Sequence, residues 1–452
     1  MRFSLIGCML FGMASVLLAE DFDPFDTKSL LNKQQATFVT CATTDLSKSL
    51  SLSDVVMAAL CNNPQTKIAW QTSLYQAAQV GVSQSAYLPT LSATGSALRS
   101  ESSETKSGDQ ENISITLSYL LYDFGKRDAT YESARRLLDV ALFSENNTIQ
   151  SVFLSAVQAY YTLFGSNASL EASFEAERSA LASLNAAKTR YSVGTATPAD
   201  TLQAQTAYSQ AMLNRIQAEG SVKSAQGELA SVLGLMPDTT IQLQTPQLSL
   251  PSEVFEKNVK ALMEEAGRLR PDLMAASAKI KAAEANVKAA KAEHLPSFSL
   301  SSTTGHTDTV FNTSQRTSSI GLYVSIPIFT GFNTKYKVQA AQQQLKINEA
   351  EYEKLSQEAS LEVYKTYQTL VSETQATRTS ADLVASAQAS YDLALGRYKA
   401  GVGTILDLLS AQSALASAKQ QHIQSLYNWY ITKASLAKSM GTLDFSTIKG
   451  QP

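Results

Sequence analysis

The segment RYSVGTATPADTLQAQ at Arg190–Gln205 returns as RYKAGVGTILDLLSAQ at Arg397–Gln412. Arg190/Arg397, Tyr191/Tyr398, Gly194/Gly401, Thr197/Thr404, Asp200/Asp407, Leu202/Leu409, Ala204/Ala411 and Gln205/Gln412 recur in register, each pair 207 positions apart. The same offset joins Pro64 to Pro271, LPTLS at Leu88 to LPSFS at Leu295, and Gly234 to Gly441. A chain written twice folds as two copies of one unit, which overrides the domain count that 452 residues would otherwise suggest. The repeats are expected over 53–234 and 257–441, with an arm at 20–52, a linker at 235–256 and a tail at 442–452.

The N-terminus, MRFSLIGCMLFGMASVLLAED, has one Arg, an apolar run and Ala19 ahead of two acids, the pattern of a signal peptide over 1–19. Leu5-Ile6-Gly7-Cys8 resembles a lipidation site, but only about five apolar residues precede Cys8, against ~7–15 in an ordinary signal. No later run of ~18 apolar residues offers a transmembrane helix. The mature chain is therefore expected in the periplasm or medium, or across an outer membrane as strands. Cys41 and Cys61 remain in an oxidising compartment, where a disulfide is expected and two buried thiols are the alternative.

Net charge is −3 with no basic tract, which argues against nucleic acid as a partner. Only 17% of residues are charged while Ala, Ser, Thr and Gln abound, a composition that suits helices packed through small side chains. His294, His306 and His422 have no metal or general-base spacing, and no P-loop, GxSxG or HExxH occurs. No cofactor and no enzyme activity are expected.

Ser53 reads as the N-cap of a short helix ending before Pro64, and a second helix runs from Pro64 to Tyr87. The period then changes. Thr90–Leu98 and Asn112–Tyr122 read as one hairpin, the second strand alternating Ile113, Ile115, Leu117, Tyr119 and Leu121 with Ser114, Thr116 and Ser118. The hairpins span 90–122 and, in the second repeat, 297–328, with strands Ser297–Gly305 and Ser318–Ile328. Ile320, Leu322, Val324, Ile326 and Ile328 form the apolar face there, and His306, Asp308 and Arg316 fall in the loop. Strands of ~9–11 residues suffice to cross a bilayer at a tilt. Tyr119, Tyr122, Tyr323 and Phe329 lie where an interfacial belt would put them, with sheet packing as the alternative.

Long helices follow each hairpin, Lys126–Tyr191 and Asn333–Tyr398. In the first, Ala134, Leu138, Ala141, Ile149, Val152, Ala156, Ala159 and Leu163 keep a coiled-coil spacing that only Glu145 breaks. Returning helices run over Pro198–Val232 and Ile405–Met440. With the helix before each hairpin they nearly match the long helix in length, so each half reads as a two-helix rod. The linker, with Pro237, Pro246 and Pro251, holds a short strand at Ile241 and Leu243, and a helix follows it.

Four membrane-length strands cannot close a barrel, since the smallest closed ones have about eight. Open edges in lipid cost several kcal/mol per unpaired group, so the chain must oligomerise. Three copies give twelve strands continued by twelve helical columns.

The combination of Asn63-Pro64, the LP pairs at Leu88 and Leu295, PIFTG at Pro327–Gly331 and the doubled YxxGxxxxxDxL resembles the TolC-type outer-membrane efflux channels over nearly the whole mature chain. The resemblance implies a mainly α protein with a membrane β-barrel. Duplicated coiled-coil hairpins would form a periplasmic α-barrel, and each protomer of a homotrimer would give four strands to a 12-stranded barrel in outer-membrane lipid. It implies an exit duct docked on a periplasmic adaptor and an inner-membrane ABC or RND-type transporter, serving type I protein secretion or solute efflux. It also places a periplasmic gate at Tyr398, Gly401 and Asp407, with Asp200 at a tip-to-tip link. Gly403 stands where well-studied members have Arg, and Ser410 where they have a second Asp. The constriction would then be one ring of three Asp407 carboxylates, raising one another's pKa and drawing cations.

A simpler reading of the same residues is capping. Gly194 and Gly401 suit a left-handed helix end, and Thr197-Pro198-Ala199-Asp200 and Thr404…Asp407 read as capping boxes. The readings are compatible. The tips, Gly194, Thr195, Ala196, Thr197, Gly401, Val402, Gly403 and Thr404, are expected to dock the adaptor. A periplasmic adaptor-like coiled-coil protein without channel activity is the rival, and it leaves the two hairpins unexplained.

Overall fold

The computed structural model describes residues 23–32, 49–101, 108–245, 258–309 and 312–445. The expected signal peptide, Cys8 and Cys41 lie outside them. In chain order the elements are α1 (Ser29–Asn32), α2 (Leu52–Asn62), α3 (Pro64–Ser85), β1 (Thr90–Ser100), β2 (Gly108–Tyr122), α4 (Lys126–Ser192) and α5 (Pro198–Val232). Then come α6 (Val259–Leu269), α7 (Pro271–Ala292), β3 (Ser297–Thr309), β4 (Asn312–Ser325), α8 (Asn333–Lys399) and α9 (Ile405–Ser439). The two repeats follow one order. No helix among the described residues is long and apolar enough to cross a membrane.

Among the described residues, chain contacts divide the molecule into two compact units: 23–32, 71–143 and 275–353 contribute to one, and 49–70, 144–274 and 354–445 to the other. The first holds a four-stranded antiparallel sheet in the order β1-β2-β3-β4, so β2 and β3 join the hairpins of the two repeats. The register pairs Leu91 with Leu117, Ala93 with Ile115, Leu300 with Leu322 and Phe298 with Val324. Alternation puts these on one face, where Leu91, Leu117, Ile320, Leu322 and Val324 are exposed. The other face carries hydroxyls: Thr94 meets Ser114 at 2.8 Å and Thr116 meets Thr303 at 3.2 Å.

The strands are longer than the pattern suggested, at 11, 15, 13 and 14 residues. His306, Asp308 and Arg316 lie within β3 and β4, not in a loop, and His306 pairs with Arg316. The ladder needs only backbone groups, so it continues past the last apolar side chain. At the other end β4 stops at Ser325. Pro327 has no N–H to donate, and Ile326 and Ile328 lie beyond the strand. Tyr122, Phe124 and Phe298 cluster at the strand ends, with ring centroids 4.7 and 6.4 Å apart in sequence.

In the second unit α2 packs Val55, Val56 and Ala59 against Val152, Phe153, Ala156 and Val157 of α4 and Leu229 of α5. The N-cap of α2 is Ser51, not Ser53: Ser51 accepts from the Asp54 N–H and the Asp54 carboxylate accepts from the Ser51 N–H at 3.0 Å. Ser53 sits in the first turn. Cys61 is disulfide-bonded. Leu243 bridges in parallel to Leu50, and the buried Tyr160 hydroxyl donates to the Gln244 carbonyl at 2.9 Å, which fastens the linker to α4. Burial raises the Tyr160 hydroxyl to about 12. Glu145, the break in the apolar stripe of α4, is itself buried.

The repeat extends to individual contacts. Asn63 donates to the Val232 carbonyl at 2.9 Å, and Arg270, its counterpart, donates to the Ser439 carbonyl at 3.0 Å. Both carbonyls precede a glycine with positive φ, Gly234 at +70° and Gly441 at +76°. A Cβ at Gly234 would lie 2.7 Å from the Asn62 carbonyl oxygen, and one at Gly441 2.7 Å from that of Leu269. Arg270 is buried and also ion-pairs with Asp272 at 2.7 Å and Glu362 at 2.6 Å.

Candidate functional site

Within the second unit, each long helix turns back through the doubled motif. At the end of α4 the Gly194 N–H donates to the Tyr191 carbonyl at 3.0 Å, and at the end of α8 the Gly401 N–H donates to that of Tyr398 at 3.1 Å. Thr195 N–H to Arg190 O, at 2.8 Å, is matched by Val402 N–H to Arg397 O, at 3.1 Å. Gly194 and Gly401 have φ of +79° and +82°, the left-handed helix end that glycine adopts without strain. The two turns share this backbone path, and the second adds a bond from the Gly403 N–H to the Arg397 carbonyl at 3.1 Å.

The returning helices start on capping boxes. Thr197 accepts from the Asp200 N–H at 3.2 Å while Asp200 accepts from the Thr197 N–H at 2.8 Å, with Pro198 opening α5. Thr404 and Asp407 repeat this at 3.1 and 3.3 Å. The Thr404 hydroxyl also donates to the Asp407 carboxylate at 2.7 Å. That bond and the Thr404 N–H hold the exposed Asp407 carboxyl below its usual range. In the single chain the capping reading accounts for both aspartates, and Ser410 is exposed near Asp407 on α9.

Six of the eight tip residues, Gly194, Thr195, Thr197, Gly401, Val402 and Thr404, are exposed, and Ala196 and Gly403 are half-buried. Gly403 has a local reason: a Cβ there would stand 3.0 Å from the Arg397 Cβ and 3.1 Å from the Arg397 carbonyl carbon and the Tyr398 nitrogen. The turn is wound too tightly for a side chain without local adjustment.

Tyr398 is only 5% exposed, seated with Leu184 and Ala187 of α4, Ala204 of α5, and Ile405 and Leu408 of α9. It belongs to the tip's small core. The guanidinium of Arg190 lies 4.1 Å from its ring centroid and donates to its carbonyl and, at 3.4 Å, to that of Lys399. These carbonyls lie at the C-terminal end of α8, the negative end of the helix. The Tyr398 hydroxyl is buried without a hydrogen-bond partner, and that burial raises its pKa, Arg190 opposing and Asp200 assisting. Arg190 is not among the residues that the sequence pattern marks as a site. Its only signal was the repeated Arg-Tyr pair.

Above the tips, α4, α5 and α9 border a groove of about 790 Å³ lined mainly by Ala, Ser, Gln and Asn, with Tyr161, Tyr427, Leu409, Ile423 and Ile431 among them. Among the described residues no His, Cys, Asp or Glu cluster could hold a metal. His306 meets Ser314 at 2.9 Å in the sheet and His422 meets Ser380 at 3.0 Å between α8 and α9.

Strands with one apolar and one hydroxyl face, in a chain of paired long helices, define a channel-forming outer-membrane protein whose barrel closes between chains. The model for outer membrane efflux proteins matches residues 55–235 and again 262–442. Protein CyaE of Bordetella pertussis is 31% identical over 412 residues, covering 89% of this chain and 86% of that protein. A probable efflux pump outer membrane protein, TtgC of Pseudomonas putida, is 29% identical over 418 residues, covering 86% and 83%. The crystal structure of the Campylobacter jejuni CmeC outer membrane channel superimposes with a TM-score of 0.76 at 20% identity, over 88% of each chain. The chain belongs to the outer membrane efflux protein family. It is an outer-membrane export channel with a long helical periplasmic part, and nothing supports the adaptor-like rival.

Proposed function

We propose that this chain works as a homotrimeric exit duct, receiving protein or solute from an inner-membrane ABC or RND-type transporter through a periplasmic adaptor. The observation that carries this is the sheet. It has an apolar face for lipid, a hydroxyl face for water, and free edges on β1 and β4. Three copies supply twelve strands and remove every edge. The exposed turns at 194–197 and 401–404 are the surface offered to the adaptor. Asp407 is the residue proposed for the constriction, since its carboxylate is exposed while it caps α9, and that cap holds its pKa below the usual range in the single chain. The groove has no charged side chain in its lining, which mixes Ser, Gln and Asn with Ala, Tyr, Leu and Ile, and suits a lumen that leaves selection to the pump.

Single-channel conductance in planar bilayers tests this with detergent-extracted wild type and Asp407→Asn, which keeps an acceptor for the Thr404 cap. Small cation-selective steps are expected, and the variant is expected to lose the selectivity. Steps of unchanged selectivity would leave Asp407 a helix cap only, and absence of conductance would remove the duct.

A further inference from the structure

Arg190 and Tyr398 belong to different repeats, and the contact between them uses only half of what the duplication supplies. The 207-residue offset makes Arg397 the counterpart of Arg190, Tyr191 that of Tyr398, and Ser192 that of Lys399. In the single chain this second set is open: Arg397 is exposed and Tyr191 is 50% exposed. The two turns share three backbone hydrogen bonds, the second adding one from the Gly403 N–H to the Arg397 carbonyl at 3.1 Å, so Arg397 leaves the end of α8 where Arg190 leaves the end of α4, and Tyr191 ends its helix as Tyr398 does.

We infer that in the trimer, whose existence rests on the function proposed above, Arg397 of each copy stacks on Tyr191 of the next and donates to the carbonyls that end its α4. The tips would then be held by a ring of six Arg–Tyr clasps, three inside protomers and three between them. A ring of copies joined head to tail presents one edge of each copy to the opposite edge of its neighbour. Because each copy is itself two repeats, the edge-to-edge contact reproduces the contact inside the chain. Arg397 stands on one edge and Tyr191 on the other.

The surroundings agree. Leu184 and Ala187, which seat Tyr398, have Tyr391 and Ala394 as counterparts, and both are only partly buried in the single chain. The pairing is also selective. Glu175 of α4 binds Lys419 of α9 at 2.6 Å, but the counterparts are Asp382 and Met212, so this ion pair cannot recur between copies. The Arg–Tyr clasp can. An arginine is needed, since the planar guanidinium stacks on the ring while its N–H groups reach the carbonyls, which an ammonium cannot do together.

Cross-linking in membranes of the full-length protein tests this. Tyr191→Cys with Arg397→Cys, treated with a short bis-maleimide, is expected to give covalent trimers in denaturing gels, and each single variant monomers. Arg190→Cys with Tyr398→Cys is expected to link within the chain and give no oligomer. Independently, Arg397→Ala, Arg397→Lys and Tyr191→Ala should lower the temperature at which the native trimer dissociates, while Tyr191→Phe, which keeps ring and carbonyl, should not. A double-cysteine variant that is trimeric by native mass yet yields only monomers on cross-linking would overturn the inter-copy clasp and leave the duct intact. So would a trimer indifferent to Arg397→Ala. A wild type that is never trimeric would overturn both.

Discussion

Arg270 stands where the first repeat has Asn63, and the change converts a neutral hydrogen bond into a buried charge network. Burial pushes the Asp272 carboxyl upward, but the two-point contact with Arg270 outweighs it and leaves the pKa below the ordinary 3.8. A carboxyl lower in the folded than the unfolded chain contributes stability above the unfolded value, and that contribution is lost as pH falls through the folded one. Melting in detergent should therefore show an acid limb below about pH 4 that flattens in Asp272→Asn. Arg270→Ala, which strands Asp272 with a desolvated charge, should cost about 3 kcal/mol. An acid limb unchanged in the Asn variant would assign it to other carboxylates. The sequence showed the proline and glycine at this junction but not the arginine's partners, because Glu362 lies 92 residues away.

At the scale of elements, Gly194 and Gly441 share a left-handed backbone but differ in space: nothing stands within 4 Å of a Cβ at Gly194, while the Leu269 oxygen stands 2.7 Å from one at Gly441. Alanine at Gly194 should cost the conformational penalty alone, about 1–2 kcal/mol. At Gly441 it should cost more, and equal losses in thermal melts would contradict the close approach. On β4, Leu322→Arg charges the apolar face and should cost about 2–4 kcal/mol in the membrane, whereas Ser319→Arg on the hydroxyl face should still assemble. Equal assembly yields would mean the faces are assigned wrongly. The limits of the long and returning helices and the two Thr-x-x-Asp capping boxes were legible to within a residue, because Thr-x-x-Asp and an N1 proline act locally, whereas the cap of α2 was expected at Ser53 and falls at Ser51. The strand ends were not legible. Residues 108–111 and 306–309 are polar on both faces, so alternation stops there while backbone pairing continues.

At the scale of the whole molecule, duplication made the architecture readable. One repeat supplies two strands, one chain four, and only a set of chains closes the barrel. The tip contact was the part hidden from sequence, since which repeat Arg190 would clasp depends on packing between elements 208 residues apart. Closure by three copies is the claim on which the duct, the constriction and the ring of clasps all depend. Native mass of the detergent-extracted full-length product tests it most directly. A single species at three times the mature chain mass is expected, and a monomer that stays in solution without detergent would contradict the account.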